Sequence, residues 1–373
     1  MDSQEKLEIL AEAGRHDLAC ACGTGSPEER RRRDAAGQAW LYPVSLPNGG
    51  SGIVLKTLLS SACVGDCGYC PLRADADLVR RCTLGADELA RLFLEYNRRR
   101  RLLGLFVSSG IIRDPDHTMA RLNTVAILLR RKYGYRGYLH LKVIPGASDE
   151  AVAEAAGLAS ALSLNIETPS AGHCAGLSGR KDWERDILRT IRKIRELADN
   201  LPGRRRLRQT SQFIVGAAAE TDREILDRTG ELYRECRLER VYFSAYQRGT
   251  GRPGIPGEAK PDPGILSREH RLYQADFLLR KYGFEPAELP CEADGRLSPA
   301  ADPKRRWADR HPEFFPLRLR TAERWQLLRV PGLGPVTVDR LLAARRETSL
   351  RNLGGLRIGP GRSALAAGYL DFS

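Results

Sequence analysis

The chain has 373 residues, enough for one large or two smaller domains with a buried core. Its content of 42% hydrophobic and 29% charged residues is typical of a globular protein, and it contains no apolar run long enough to cross a membrane. Residues 1–17 mix acidic and basic side chains and lack the apolar core of a signal peptide. We therefore expect a cytoplasmic protein with no membrane partner.

Charge and cysteine content indicate which kind of partner the protein binds and what its cysteines do. The net charge of +13 favours a polyanionic partner, and residues 291–373 contribute strongly with 15 basic and 9 acidic side chains. The nine cysteines are an odd number in a chain that we expect in a reducing compartment. A disulfide framework is therefore disfavoured, and metal ligation better explains some of these cysteines.

An alternation of strand and helix patterns dominates the chain. Residues 1–45 contain a helical pattern and a Gly- and Arg-rich stretch, which we interpret as an N-terminal capping extension. Repeated βα units over residues 46–290 predict an α/β fold, a partial (β/α)6 barrel of the TIM type with its reactive groups after the strand ends. The six predicted strands are residues 52–61, 105–110, 138–146, 161–169, 209–216 and 241–247.

The C-terminal part of the chain has a different pattern. A stretch rich in Pro, Gly and Asp at residues 291–316 is interpreted as a connector, and residues 317–373 as a small all-α domain. In that domain Thr321 can cap a first helix, and the turn Pro331-Gly332-Leu333-Gly334 leads into a second. Such a turn lets the backbone approach a phosphate at the free N–H groups of the second helix. A plain helical hairpin with a Gly turn is the alternative.

The stretch "SSACVGDCGYCPLR" follows the first predicted strand and contains Cys63, Cys67 and Cys70. A structural zinc site needs four ligands, and no second pair of Cys or His at matching spacing lies nearby in the sequence. Three thiolates from one loop instead suit an iron-sulfur cube that keeps one iron without a protein ligand. That open iron can bind a substrate or a cofactor.

This spacing, with Tyr69 before the last cysteine, resembles the signature of radical S-adenosylmethionine (SAM) enzymes. The resemblance implies a 4Fe-4S cluster on Cys63, Cys67 and Cys70, with SAM on the fourth iron. It further implies that SAM is cleaved to a 5′-deoxyadenosyl radical, which takes a hydrogen atom from the substrate. An electron donor such as a flavodoxin or a ferredoxin is then a partner.

The resemblance also assigns further contacts to SAM. Besides Tyr69, these are Ser108, Ser109 and Gly110 for the amino group, Asn165 and Glu167 for the ribose, and Ile214, Val215 and Gly216 for the adenine. No acid directly follows Gly110, which departs from the Gly-Gly-Glu-like segment of the family. The alternative for each set is that such residues simply end a strand.

Three other cysteines have open roles. Cys20 and Cys22 are either ligands of a second cluster or ordinary loop residues. Cys174 follows a predicted strand and is either a hydrogen-atom donor to a substrate radical or a structural residue.

The C-terminal hairpin closely resembles the helix-hairpin-helix motif, which grips the DNA backbone in many repair proteins. This resemblance assigns nucleic-acid contacts to Arg329, Gly332, Leu333, Gly334, Thr337, Arg340 and Arg345. The combination of barrel and hairpin is similar, over nearly the whole chain, to bacterial radical SAM proteins named for DNA modification or repair. It implies an enzyme that acts on DNA. The alternatives are a radical SAM enzyme for RNA, a nucleotide or a protein, and a non-enzymatic iron-sulfur protein that binds DNA.

Overall fold

The structure is a computed structural model that divides into two compact units. Unit 1 comprises Met1–Glu220 with Glu231–Ile265, and unit 2 comprises Thr221–Gly230 with Leu266–Ser373. This division differs from the boundary at residue 290 that the sequence suggests. The residues that the structure describes are 1–14, 40–45, 50–202, 206–347, 352–354 and 358–373.

A seven-stranded sheet forms the centre of unit 1, with its strands in the order of the sequence. The first two strands are antiparallel, and each later neighbouring pair is parallel. All six predicted strands are present, so the α/β prediction of a partial (β/α)6 barrel is confirmed for this unit. The strands are β1 (Leu41–Ser45), β2 (Ser51–Leu58), β3 (Gly104–Ser108), β4 (Tyr138–Lys142), β5 (Ala161–Ser163), β6 (Arg208–Val215) and β7 (Arg240–Ala245).

Helices connect the successive parallel strands. Their starts follow local capping chemistry, since the side chains of Asp114 and Ser148 accept the N–H groups of His117 and Ala151. Residues Leu128–Lys132 continue the third helix and Trp183–Leu188 precede the sixth, both as wider π-helical turns. The helices are α1 (Ser3–Gly14), α2 (Ala86–Arg100), α3 (Pro115–Ile127), α4 (Asp149–Leu158), α5 (Ala171–Ala175), α6 (Arg189–Asp199), α7 (Asp222–Glu235) and α8 (Pro256–Ala259).

The two faces of the sheet differ in polarity. On β4, Leu139 and Leu141 are fully buried, whereas Tyr138, His140 and Lys142 are partly exposed on the opposite face. Residues of that second face from several strands, among them Leu58, Lys142 and Ser244, line one cleft. We call this second side of the sheet the concave face.

Strand β1 lies within the predicted capping extension and was not expected. It pairs with β2 as an edge strand, and Pro43 at its centre is tolerated there because an edge leaves one side without ladder bonds. The helical pattern of the extension does form α1, which buries Leu7 and Leu10. No described helix of the chain is both long and apolar enough to cross a membrane.

Unit 2 is mainly helical. Its helices are α9 (Ile265–Phe277), α10 (Pro303–Arg310), α11 (Arg324–Leu327), α12 (Pro335–Glu347) and α13 (Pro360–Ala367), with a π-helical turn at Leu278–Tyr282 and short 3₁₀ turns at Pro286–Glu288 and Pro312–Phe314. Two short parallel strands, β8 (Leu317–Arg318) and β9 (Leu370–Asp371), add a ladder that the all-α prediction omitted. Helix α11 begins after Glu323 rather than at Thr321. The hydrophobic core of unit 2 includes Leu327, Val330 and Leu333.

Candidate functional site

The cysteine loop begins directly after β2, at the C-terminal edge of the parallel strands. The backbone N–H of Leu59 donates to the carbonyl of Ser108 at the end of β3, at 2.7 Å. The guanidinium of Arg81 ties both ends of the loop together by donating to four backbone carbonyls. These carbonyls belong to Ser61, Leu72, Arg73 and Ala76.

Two of the three thiols face a common space around Gly65. A Cβ atom at Gly65 would lie 3.2 Å from Sγ of Cys63 and 3.9 Å from Sγ of Cys67. Sγ of Cys63 accepts the N–H groups of Gly65 at 3.2 Å and Ile111 at 3.4 Å, and Sγ of Cys70 accepts that of Leu72 at 3.4 Å. Backbone donors therefore orient the sulfur atoms of Cys63 and Cys70.

The three thiols do not form a site for a single ion. In the described parts of the chain, no three His, Cys, Asp or Glu side chains lie close enough together to hold one metal ion. In a 4Fe-4S cube each thiolate binds a different iron, so the three ligands need not meet at one ion. Burial, with the neighbouring Cys67, raises the pKa of the Cys70 thiol to about 12, a cost that metal ligation would offset.

The segment after β3 holds the cysteine loop in place. Gly110 donates its N–H to the carbonyl of Ser60 at 2.8 Å, and Ile111 accepts the N–H of Val64 at 2.9 Å. A Cβ atom at Gly110 would lie only 2.4 Å from the carbonyl oxygen of Ala62. Only glycine therefore allows this approach of the two segments.

Two charged side chains, Lys181 and Glu167, lie beside Tyr69 next to the thiols. Nζ of Lys181 lies 3.1 Å from the phenol oxygen of Tyr69, and Glu167 is 8% exposed. Burial, together with the Glu167 carboxylate, raises the pKa of Tyr69 well above its usual value. Burial lowers the pKa of Lys181, but Cys67 and Glu167 outweigh it, so the pKa is raised and Lys181 carries its charge.

The backbone of Glu167 is in the left-handed region, with φ of +64°. This conformation is uncommon for a residue with a Cβ and costs of order 1–3 kcal/mol. The surrounding structure maintains it, because Glu167 donates its N–H to Gln212 and accepts that of Ile214. Such strain is concentrated at functional sites in proteins.

A cleft that is open to solvent lies beside the thiols in unit 1. The structure brings most of the sequence-predicted cofactor residues together there. The predicted residues that line it are Cys63, Cys67, Tyr69, Cys70, Ser108, Ser109, Gly110, Asn165, Glu167 and Ile214.

Two predicted cofactor residues do not line this cleft. Val215 follows Ile214 on β6 and is fully buried on the opposite face of the sheet, because strand side chains alternate. Gly216 forms the turn after the strand, with φ of +85°, and donates its N–H to the carboxylate of Glu220 at 2.6 Å.

The cleft also includes residues that the sequence analysis missed, notably Lys142 and Lys181. Lys142 ends β4 on the concave face, and strand alternation could have identified it. Lys181 lies in a loop where no local pattern distinguishes it from the other basic residues of the chain.

The remaining cysteines contribute less. Cys174 in α5 is 3% exposed and is not part of the cleft lining, and burial raises its pKa to about 11. A direct role as hydrogen-atom donor is therefore not supported. Cys20 and Cys22 lie outside the described residues.

The hairpin turn in unit 2 depends on its glycines. Gly332 has φ of +87°, and a Cβ there would lie 2.6 Å from the carbonyl oxygen of Arg362. Gly334 is less constrained, since a Cβ would meet only the hydroxyl of Tyr282 at 3.3 Å. Leu333 is 2% exposed and anchors the turn in the core, and its backbone is engaged, since its N–H donates to the carbonyl of Val330 and its carbonyl accepts a hydrogen bond from Nζ of Lys304.

Arg329 is not placed to contact a phosphate. It is 6% exposed, and its guanidinium donates to the carbonyls of Tyr282 and Gly283 and to the carboxylate of Glu288. It also lies 3.8 Å from the ring centroid of Phe284. We therefore correct its assignment to a structural role.

The other side chains of the hairpin that were predicted to contact nucleic acid differ in how accessible they are to a phosphate. Arg345 is half-buried and donates to the carbonyls of Leu319 and Ala322. Arg340 is exposed, and Thr337 is partly exposed in the first turn of α12.

Comparison with known proteins gives only distant likenesses. No protein-family model matches the chain, and no curated protein matches it. Among solved structures, HydG, a maturase of the [FeFe]-hydrogenase, aligns with a TM-score of 0.47 and 13% identity, over 60% of this chain and 49% of its own. HydG from Carboxydothermus hydrogenoformans gives 0.45 and 13%, over 61% and 51%. A radical SAM methyltransferase from Sphaerobacter thermophilus gives 0.43 and 13%, over 68% and 80%. The chain thus spans about half the length of the two HydG structures.

Proposed function

We propose that this chain is a radical SAM enzyme that modifies or repairs DNA. The observation that carries the proposal is the arrangement of Cys63, Cys67 and Cys70 on one loop at the open end of a partial barrel, with backbone donors on the sulfur atoms of Cys63 and Cys70. Three thiols on one loop suit a 4Fe-4S cluster, in which each thiolate binds a different iron.

The cleft beside the thiols has the groups that SAM requires. The hydroxyls of Ser108 and Ser109 suit its amino group, and the side chains of Asn165 and Glu167 suit the ribose hydroxyls. Ile214 offers an apolar surface to the adenine.

When bound, a reduced 4Fe-4S cluster and SAM supply reductive cleavage of SAM and abstraction of a hydrogen atom from the substrate. The protein orients both groups and limits access of water. Ile111, Ile144 and Pro145 give this part of the cleft an apolar lining. The electron comes from a one-electron donor of the flavodoxin or ferredoxin type.

The proposal that the substrate is DNA rests on the hairpin and on the net charge of the chain. Gly332 and Gly334 shape a turn before the N-terminus of α12, where the N–H groups of Val336 and Thr337 precede the first intrahelical donor, the N–H of Val338, which binds the carbonyl of Gly334. Arg340 is exposed one turn further along the helix. The net charge of +13 attracts a nucleic-acid backbone over longer distances.

Substrate discrimination tests the proposal. Protein reconstituted without oxygen is reduced, supplied with SAM and assayed for 5′-deoxyadenosine with duplex DNA, damaged DNA, or RNA of equal length. We expect DNA to increase the rate at moderate salt. Stimulation by RNA alone would identify a radical SAM enzyme for RNA and contradict the DNA proposal.

A further inference from the structure

The concave face of the sheet has an unusual composition for a barrel interior. Bulky branched residues normally fill this space in barrels of parallel strands. Here most of the partly exposed positions of this face are polar, cationic or aromatic. They include Lys56 on β2, Phe106 on β3, His140 on β4, Thr210 on β6 and Tyr242 on β7.

Several of these side chains form a continuous ladder across neighbouring strands. Lys56, Phe106 and His140 are register partners on β2, β3 and β4. Nζ of Lys56 lies 5.3 Å from the ring centroids of both Tyr42 and Phe106. Phe106 stacks on His140 with centroids 4.2 Å apart and planes at 20°, and Nε2 of His140 lies 2.9 Å from Oγ of Ser163.

The face is also strongly biased in charge. None of the six parallel strands contains an aspartate or a glutamate, whereas Lys56, Lys142 and Arg240 all belong to this face. The guanidinium of Arg240 lies 4.8 Å from the ring centroid of Tyr242. Glu167 follows β5 and lines the cleft, where Lys181 accompanies it.

We propose that the concave face binds one nucleotide unit of the substrate, with its phosphate at Lys142 and Lys56 and its base against the rings of Phe106, His140 and Tyr242. Lysine ammonium groups bind phosphate as point charges, and aromatic rings stack on any base. Lys142 lines the cleft and so connects this face to the cofactor residues.

The inference rests on the proposed function in taking a nucleotide as the substrate. For a base in duplex DNA, it requires that the nucleotide leave the stack before the reaction.

Nucleotide binding without turnover tests this inference. The reconstituted full-length protein with SAM, but without reductant, is titrated by calorimetry with each of the four deoxynucleoside 5′-monophosphates and with the matching nucleosides. Lys142→Met and Lys56→Met should weaken monophosphate binding on the order of tenfold, the expected loss of a charge-assisted contact, and leave nucleoside binding nearly unchanged. His140→Leu should weaken both.

Matched variants separate binding from folding. Lys132→Met removes the same charge from an outer helical position that is 52% exposed, and it should bind like the wild type. Lys142→Arg should recover most of the affinity. Equal affinities for Lys142→Met, Lys132→Met and the wild type would overturn the inference, as would a wild type that binds none of the four monophosphates.

The same preparations distinguish this failure from failure of the proposed function. Addition of reductant to the wild type measures SAM cleavage separately. SAM cleavage without nucleotide binding would contradict the inference about the concave face. Nucleotide binding without SAM cleavage would contradict the proposed radical chemistry instead.

Discussion

Nζ of Lys181 lies 3.1 Å from the phenol oxygen of Tyr69, the residue directly before Cys70. This contact places a cation next to the thiols, since Cys67 and Glu167 also raise the pKa of Lys181 against the effect of burial. A positive charge next to the thiols would stabilise the more negative, reduced form of a cluster bound there. Lys181 is therefore a positioning and electrostatic residue of the site.

Removal of this charge should lower the reduction potential of the reconstituted cluster. For Lys181→Met we expect a fall on the order of 50 mV, about 1 kcal/mol for one electron, measured by a redox titration followed by electron paramagnetic resonance. Lys181→Arg keeps the charge and should shift the potential less. Identical potentials in Lys181→Met and the wild type would show that the charge does not act on the cluster.

A second prediction concerns the close approach at Gly110. In Gly110→Ala the new methyl group would lie 2.4 Å from the carbonyl oxygen of Ala62, so the cysteine loop must move. We expect the variant to bind less than half of the iron of the wild type after reconstitution, measured by iron analysis and visible absorbance.

Gly157→Ala is the matched control for Gly110→Ala. A Cβ atom at Gly157, in α4, meets no atom within 4 Å, and alanine in a helix is favoured by about 0.5–1 kcal/mol. This variant should keep its full iron content. Full iron binding by Gly110→Ala would refute the role that we give to the approach of the two segments.

The stability of unit 2 should depend on pH through Lys304. Burial lowers the pKa of Lys304 from 10.5 to about 7, and its Nζ donates to the carbonyl of Leu333 at 2.6 Å. The unfolded chain binds this proton more tightly than the folded chain, so wild-type stability rises with pH between about 7 and 10.5.

Lys304→Met removes this titration. We expect the variant to be more stable than the wild type below pH 7, by an amount of a few kcal/mol, and to lose the advantage as the pH approaches 10. Urea unfolding at pH 6 and pH 9.5 measures both differences. A difference that is the same at both pH values would rule out a lowered pKa for Lys304.

The hairpin can be tested by a pair of glycine variants. Gly334→Val should leave unit 2 folded, since its Cβ atom would meet only the Tyr282 hydroxyl, at 3.3 Å, but should weaken DNA binding on the order of tenfold by blocking the backbone. Fluorescence anisotropy with labelled duplex DNA at several salt concentrations measures this. Gly332→Val should instead unfold the hairpin, because its φ of +87° disfavours a β-branched residue. Unchanged affinity in folded Gly334→Val would indicate that the hairpin does not bind DNA.

The sequence predicts the features that depend on local pattern. The six predicted strands are present, and the loop with Cys63, Cys67 and Cys70 follows the end of β2 as predicted. Both features were predictable because buried strands, and loops after strand ends, have short-range sequence signatures. Strand β1 has no such signature, since Pro43 interrupts it. Its pairing with β2 depends on the rest of the sheet.

The residues that were misassigned depend on tertiary contacts or on strand alternation. Arg329 resembles a phosphate ligand in sequence, but its partners Tyr282, Gly283 and Glu288 lie more than 40 residues earlier. The misassignment of Val215 has a different cause. Adjacent strand residues face opposite sides of the sheet, so of Ile214 and Val215 only Ile214 can line the cleft. That error could have been avoided from the sequence.

The most direct measurement of the central claim is 5′-deoxyadenosine formed from SAM by reduced, reconstituted protein, in the wild type, Cys67→Ala and Gly157→Ala. We predict that the wild type and Gly157→Ala form 5′-deoxyadenosine at equal rates, and that Cys67→Ala forms none and lacks the cluster absorbance. A wild type that holds a complete cluster but forms no 5′-deoxyadenosine would contradict the claim, and so would undiminished cleavage by Cys67→Ala.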